Sequence, residues 1–377
     1  MILLKNSSRS LLNVFAKSVS KQRRFTTVQP SYTTTNYAFA FDIDGVLIKG
    51  KKPIPEATRA LKLLNGDNPV KRRIPYVLLT NGGGVTEEEK AKQISDLLGV
   101  EINPDQVILS HSPMKSLAKQ YESKKVLVVG GKARNCAEVA KRYGFKEAVT
   151  PHDIMCWNSS VSPYSLPKPE YFGEKTYNFS KEPIHAVFVF NDSFDLGRDV
   201  QIMLDVLCSK DGIVGTRKDT YEAQEIPLYW SCNDLIWSTD FPAPRLGQGA
   251  MKITLEALYK ELTKRPLNSI SFGKPHAVTY RFAEKILPRN VKRIYAIGDN
   301  PAADIKGANA NGWISCLVRT GVFTGPKHNA EDYPAHIVCN HVEEAVSKII
   351  ENEENNIDFP GVMFEEKQSK THQPITA

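Results

Sequence analysis

Little in the 377-residue chain suggests a fold held by cross-links or structural metal. Its six cysteines are too few for a disulfide framework at this length and never fall as CxxC, which excludes a zinc ribbon or dithiol motif. The eight histidines form no HExxH pair. No apolar run approaches the roughly 18 residues of a membrane-spanning helix, so no integral membrane segment is expected. There is no internal repeat. Hydrophobic residues make up 41% and charged residues 24%, a globular balance that excludes wholesale disorder.

One further absence is local. Residues 1–41 contain no acid, but they hold Lys5, Arg9, Lys17, Lys21, Arg23 and Arg24. Without them the formal charge of +7 falls to 43 basic against 42 acidic residues, so the body has no basic excess and nucleic acid is not an expected partner. In RSLLNVFAKSVSKQRR, Leu11, Phe15 and Val19 recur at helical spacing between cations. Such a leader, rich in Ser and Thr and free of acid, has the composition of a mitochondrial transit peptide. It predicts a mitochondrial protein, matrix-located, that meets the import and processing machinery. Residues 1–36 are therefore assigned to this peptide and a flexible leader.

Beyond it, short apolar runs alternate with amphipathic stretches. Strands are expected at 37–41, 76–79, 126–129, 187–190, 294–297 and 315–318, with helices at 55–65, 86–98 and 249–263. The alternation predicts an α/β fold with a mostly parallel sheet. Residues 159–183, with four prolines and little periodicity, read as a long loop or lid insertion. The stretch 238–248, with Pro242, Pro244 and Gly247, reads as a linker into a helix, and the polar residues from 351 as a C-terminal tail.

Four polar pieces follow expected strands, where open α/β sheets collect ligands. FDIDGVL places Asp42 and Asp44 two apart, on one side of an extended segment, with Gly45 allowing a turn. LLTN places Thr80 and Asn81 before three glycines, FGKP presents Lys274, and AIGDNPAADI supplies Asp299, Asn300 and Asp304. Each alone is an ordinary turn or surface charge. Together they offer carboxylates for a hard cation such as Mg²⁺, with a hydroxyl and an amine for phosphate oxygens.

The set Asp42-x-Asp44-Gly45, Thr80-Asn81, Lys274 and Gly298-Asp299…Asp304 resembles the four motifs of the haloacid dehalogenase-like hydrolase superfamily, over roughly residues 37–350. GVLIKGKKPIPEA and FPAPRLGQGAM…FGKPH resemble subclass IIA, whose members include phosphatases of small phosphate esters. TNGGG and QIMLDVL are similar in texture to the mitochondrial cat eye syndrome critical region protein 5 group. The resemblance implies a Rossmann-like doubly wound parallel-sheet core at 37–106 and 246–350, with an inserted class II α/β cap at 107–245.

It also implies a Mg²⁺-dependent phosphatase acting on a small phosphorylated metabolite. Asp42 would be the nucleophile and Asp44 the general acid and base. Thr80, Asn81 and Lys274 would bind phosphate. Mg²⁺ would be held by Asp42, the carbonyl of Asp44 and Asp299, supported by Asn300 and Asp304. Two rival readings keep the same fold: a non-catalytic binding or scaffold protein, and a phosphotransferase to an acceptor other than water. The oligomeric state stays open, a homo-oligomer included. Gly82 and Gly83 depart from the Asn and Ser of many subclass members. The cap segment VFVFNDSFDLGRDVQ lacks the family's better-known specificity pattern.

The remaining features carry less. VVGGKARN lacks both nucleotide-loop spacings and reads as a turn inside the cap. Trp157, Trp230 and Trp237 are expected in the cap core and Arg198 and Arg217 on the solvated surface. Cys136, Cys156, Cys208 and Cys232 are expected as buried or half-buried thiols.

Overall fold

The computed structural model describes residues 35–165, 171, 173, 175–237, 239, 241–324, 328–357 and 359. The transit-peptide assignment and most of the C-terminal tail lie outside them. In chain order the first strands are β1 (Tyr37–Phe41), β2 (Ile48–Lys49), β3 (Lys52–Pro53), β4 (Tyr76–Leu79) and β5 (Val107–Ile108), with helices α1 (Pro55–Leu64) and α2 (Glu87–Leu98) between them. There follow β6 (Val126–Val129), α3 (Asn135–Tyr143), β7 (Ala148–Val149), α4 (Pro151–Trp157), β8 (Val187–Val189), α5 (Leu196–Leu207) and β9 (Leu228–Trp230). Next come β10 (Ile236–Trp237), β11 (Arg245–Leu246), α6 (Gln248–Thr263), β12 (Ile270–Ser271) and α7 (Ala277–Ile286). The chain closes with β13 (Arg293–Gly298), α8 (Lys306–Ala310), β14 (Ile314–Val318), β15 (Ile337–Cys339) and α9 (Val342–Glu354).

Two parallel sheets organise these elements. The first has the order β15-β14-β13-β1-β4-β5. Its centre, β1, is buried along its whole length and divides its faces by size. Tyr37, Phe39 and Phe41 pack with α1, α2 and α9 on one side, while Ala38 and Ala40 admit α7 closely on the other. Burying an aromatic such as Phe39 or Phe41 contributes about 2–3 kcal/mol each. The chain moves outward from β1 through β4 and β5, then returns to β13 on its other side. The strand order therefore reverses between β1 and β13, the point at which such sheets place ligands.

The second sheet has the order β12-β9-β8-β6-β7. It packs one core around Trp230, Phe179 and Met203 and another around Phe188, Phe145 and Tyr121. Sheet membership does not follow the expected segment boundaries. Val107–Ile108 pair with β4 in the first sheet, although 107 was expected to open the cap. Residues 248–271, expected in the core, pack with the second sheet. The α6 residues Met251, Leu255 and Tyr259 fill its core, and β12 pairs with β9. The physical reason is that α6 has an apolar face to bury and α5 offers the matching surface. At the far end α9 runs to Glu354 and Phe359 packs edge-on to Tyr295, so ordered packing continues past 350.

Other expectations met different fates. The helices at 55–65, 86–98 and 249–263 are observed within a residue, and Thr86 closes a capping box with Glu89. Trp230 is core and Trp157 packs against it, but Trp237 is 41% exposed. Arg217 is mostly exposed, whereas Arg198 is half-buried between Asp199 (2.7 Å) and His152 (2.9 Å). Cys136, Cys208 and Cys232 are buried and Cys156 is exposed. In 159–183, the described residues Tyr177 and Phe179 pack into the second core. Within the stretch expected as a linker, Arg245–Leu246 form β11 and pair antiparallel with β10, and α6 begins at Gln248.

Candidate active site

The carboxyl ends of the two sheets face each other across a cavity of about 460 Å³. Its core side holds Asp42, Asp44, Thr80, Asn81, Lys274, Asp299, Asn300 and Asp304, so all eight residues singled out from the sequence line one space.

Each is placed by backbone geometry. Asp42 extends β1 by one hydrogen bond, its N–H donating to Ile297 (2.9 Å), and its Oδ1 accepts from Ile43 N–H (2.8 Å). Gly45 turns the chain at φ +87°, and a Cβ there would lie 2.4 Å from Asp299 Oδ2. Asp44 faces the loop after β4, its Oδ2 lying 3.7 Å from where a Cβ on Gly82 would stand. Thr80 Oγ1 accepts the Gly82 N–H at 2.9 Å, which curls this loop toward the cavity. Asn81 clamps three pieces together. Its Nδ2 donates to Asp234 (2.9 Å) and to the carbonyl of Lys274 (3.0 Å), while its Oδ1 accepts the Lys274 N–H (2.7 Å).

Lys274 follows a strand of the second sheet but delivers its ammonium to the first. Its Nζ lies 2.8 Å from Asp42 Oδ1 and 2.7 Å from Asp304 Oδ1. Asp304 Oδ2 accepts the N–H groups of Asp299 (3.2 Å) and Asn300 (3.0 Å), so it orients both Lys274 and the loop after β13. Asn300 caps the following π turn by accepting the Ala302 N–H. Asp299 is buried and accepts the Val322 N–H at 2.5 Å.

The site carries more negative charge than it neutralises. Burial pushes the Asp42 carboxyl above its usual range, and the Lys274 ammonium only partly offsets this. Burial and the neighbouring Asp42 and Asp304 charges hold Asp299 well above its ordinary value. Burial also pushes Asp304 up to about 6, against the pull of Lys274. Burial opposes the charge on Lys274, but Asp304 and Asp42 outweigh it and keep the ammonium protonated. Carboxylate oxygens of Asp42, Asp299 and Asp304 lie within 4.8 Å of one another, a hard-oxygen group of the size a divalent cation bridges. The donor set fits Mg²⁺.

The second sheet supplies residues that motif reasoning missed. Asn191, Asp192, Ser193 and Phe194 after β8, Cys232 and Asp234 after β9, and the hairpin β10–β11 line the opposite wall. Burial pushes Asp192 up to about 6, with Asp234 adding to the effect. The departure at Gly83 also acquires a cause, shared with Gly84. A Cβ on Gly83 would stand 2.7 Å from the Phe190 carbonyl and 2.8 Å from His111, and one on Gly84 2.5 Å from Asn191. These glycines let the loop after β4 pack directly on the second sheet.

Against this geometry, the family model described as haloacid dehalogenase-like hydrolase matches residues 39–146, and one described as HAD-hydrolase-like matches 271–345. A mitochondrial hydrolase of Saccharomyces cerevisiae is 39% identical over 350 residues, covering 85% of this chain and 97% of that protein. The chain belongs to the haloacid dehalogenase-like hydrolase family. A cardiolipin synthase (CMP-forming)/mitochondrial hydrolase fusion protein of Schizosaccharomyces pombe is 40% identical over 338 residues, 86% of this chain. The match spans only 55% of that fusion protein's length. Among solved structures, a p-nitrophenyl phosphatase from Archaeoglobus fulgidus superposes with a TM-score of 0.55 at 18% identity, covering 85% of this chain and 100% of that one. This haloacid dehalogenase-like hydrolase thus shares its α/β fold with a phosphatase. The match over 39–146 is consistent with the subclass IIA resemblance.

Proposed function

We propose that this hydrolase cleaves phosphate monoesters through an aspartyl-phosphate on Asp42. The observation that carries the reading is the convergence of Asp42, Thr80, Lys274 and Asp299, from four separate segments, on one cavity. Asp42 attacks phosphorus and its Oδ–P bond forms as the ester P–O bond breaks, dividing one displacement into two easier ones. Asp44 donates a proton to the departing alkoxide and takes one from the water that splits the phosphoryl-aspartate. Thr80, the Asn81 amide and Lys274 hold the remaining phosphoryl oxygens as charge spreads over them. Positioned donors of this kind supply most of the acceleration in phosphoryl transfer.

Asp42, Asp299 and the carbonyl of Asp44 hold Mg²⁺ in this reading, with Asn300 and Asp304 in support. The cation, when bound, offsets the excess negative charge and keeps Asp42 ionised. Asp304 then has two tasks within the chain: pairing with Lys274 and fixing the loop that carries Asp299. We assign residues 37–111 and 272–354 to the catalytic core and 112–271 to the cap, following sheet membership. A mitochondrial location is supported by the acid-free leader and by the printed names of both relatives.

The test is phosphate release from a panel of phosphate monoesters, with Mg²⁺ or chelator, by the protein lacking its leader and by its Asp42→Asn variant. Release that depends on both Mg²⁺ and Asp42 supports the reading. Release that persists in the variant overturns it.

A further inference from the structure

The wall of the cavity that faces Asp42 sets a group of large apolar side chains beside its polar residues. Phe194 and the hairpin residues Ile236, Trp237 and Leu246 line the same space as Asp42 and Lys274. They are far from buried: Phe194 is 72% exposed, Leu246 67% and Ile236 39%. They therefore do little to build the second core, whose residues lie elsewhere. Two residues per strand also give the hairpin little ladder of its own.

The hairpin is nevertheless fixed relative to the site. At its base the Gly247 N–H donates to Leu235 and the Gly249 N–H to Asp234, each at 2.9 Å. A Cβ on Gly249 would stand 2.4 Å from the Asn233 carbonyl, so the helix start presses directly on the strand that begins the hairpin. Asp234 in turn accepts from Asn81, which ties the hairpin base to the loop bearing Thr80. A strip of large apolar side chains, with Ile236 and its cross-strand partner Leu246 on one face of the hairpin and Trp237 on the other, is thus held in water at a set position beside Asp42, and such groups mark sites of interaction. Arg245, over the Phe241 ring at 4.7 Å, and Lys90 also reach the cavity and draw a dianionic ester toward it.

We propose that this strip binds the leaving group, and that the preferred substrate is an amphiphilic phosphate monoester whose aliphatic chain lies along Phe194, Ile236, Trp237 and Leu246. The inference rests on the phosphatase reading of Asp42 and names the substrate class of that site. Continuity between strip and cavity points to the substrate as occupant, since the same side chains belong to both. A flat ring gains most from parallel aromatic faces. Here two of the four side chains are aliphatic, and Ile236 and Leu246 lie side by side as cross-strand partners, which suits a chain.

The experiment compares kcat/KM for n-alkyl phosphates from butyl to decyl, kept below their micelle concentrations, with phenyl, naphthyl and glycerol phosphates as other arms. A half-exposed strip recovers about half of the transfer free energy of each methylene, so kcat/KM should rise about twofold per methylene. It should then level off when the chain outruns the strip. In the double variant Trp237→Ser, Leu246→Ser the decyl-to-butyl ratio should fall toward one. A ratio independent of chain length, a preference for ring or glycerol esters, or an unchanged ratio in the variant overturns the proposal and leaves the strip to a protein partner.

Calorimetric binding of alkylphosphonates to Asp42→Asn gives a readout without turnover. Affinity that rises with chain length in the variant, while the parent protein with Asp42 intact hydrolyses no ester, would overturn the phosphatase reading but support the strip. Affinity indifferent to chain length overturns the strip alone.

Discussion

His111 is buried where the loop after β4 meets the second sheet, and its titration should be measurable in the stability of the whole protein. Its Nε2 accepts the Gly84 N–H at 3.2 Å, and its Nδ1 lies 2.8 Å from the Tyr143 hydroxyl, which donates to Glu87 at 2.7 Å. These partners assign the neutral tautomer with the proton on Nδ1. The ring also stacks on Phe190, centroids 5.0 Å apart and planes within 12°. Protonation would break the Gly84 bond and add a cation near Lys115. Burial, reinforced by Lys115 against the opposing pull of Glu87, lowers the His111 pKa from 6.5 to about 4.

The unfolded chain therefore takes up a proton, between those two values, that the folded chain refuses. Stability falls as pH falls through this window, by about 2 kcal/mol from about pH 7 to about pH 5. His111→Phe keeps the ring stack but leaves the buried Gly84 N–H unpaired, so it should cost about 2 kcal/mol near pH 7. The variant lacks the titration, so its deficit relative to the parent should nearly vanish near pH 5. Urea unfolding of both proteins at the two pH values, followed by tryptophan fluorescence, measures the gap. A gap that stays constant or widens on acidification would refute a neutral, hydrogen-bonded His111.

Lys274→Met should lower kcat by at least about 100-fold, as loss of an oxyanion donor does. It leaves Asp42 and Asp304 buried without their counter-charge, so it should also cost about 3–5 kcal/mol in chemical denaturation. A variant of parental stability would mean that the ion triad is not formed in solution. Gly130→Ala, at φ +101° and with its Cβ 2.0 Å from the Asn191 carbonyl, should displace the wall that carries Asn191 and Asp192. Its expected cost is at least about 2 kcal/mol, with a lower kcat/KM. Unchanged melting would show that this contact yields freely. Mg²⁺ should raise the melting temperature of the parent, because it relieves repulsion among Asp42, Asp299 and Asp304. The rise should shrink in Asp299→Asn, and an equal rise in both would place the ion elsewhere.

The core side of the site was legible because each piece is local. An apolar run of strand length followed by Asp, Thr-Asn or Gly-Asp marks a carboxyl edge, and Asp42, Thr80 and Asp299 could be placed without knowing the sheet order. The opposite wall was not, because nothing local marks it. Strands of two residues give no period, so Pro242 and Pro244 made the hairpin look like a linker. Trp237 looked like core for the same reason, since an aromatic beside an unrecognised strand has no assigned face. Arg198 followed by Asp199 looked like surface charge, yet the pairing with Asp199 and His152 that half-buries it requires α4 and α5 to meet. His111, Tyr143 and Glu87 are dispersed along the chain and become a network only when the two sheets dock. The exchange of α6 and β12 into the second sheet escaped notice because amphipathic periodicity reports that a helix has an apolar face, not which core receives it.

The central claim is that Asp42 carries the phosphoryl group during turnover. Acid quenching of the Mg²⁺-loaded protein during hydrolysis of an alkyl phosphate, followed by mass spectrometry of the peptide around Asp42, tests it most directly. The account predicts one phosphoryl group on Asp42, enriched in Asp44→Asn, which slows its hydrolysis, and absent in Asp42→Asn. Sustained turnover with no adduct on Asp42, together with an active Asp42→Asn protein, would contradict it.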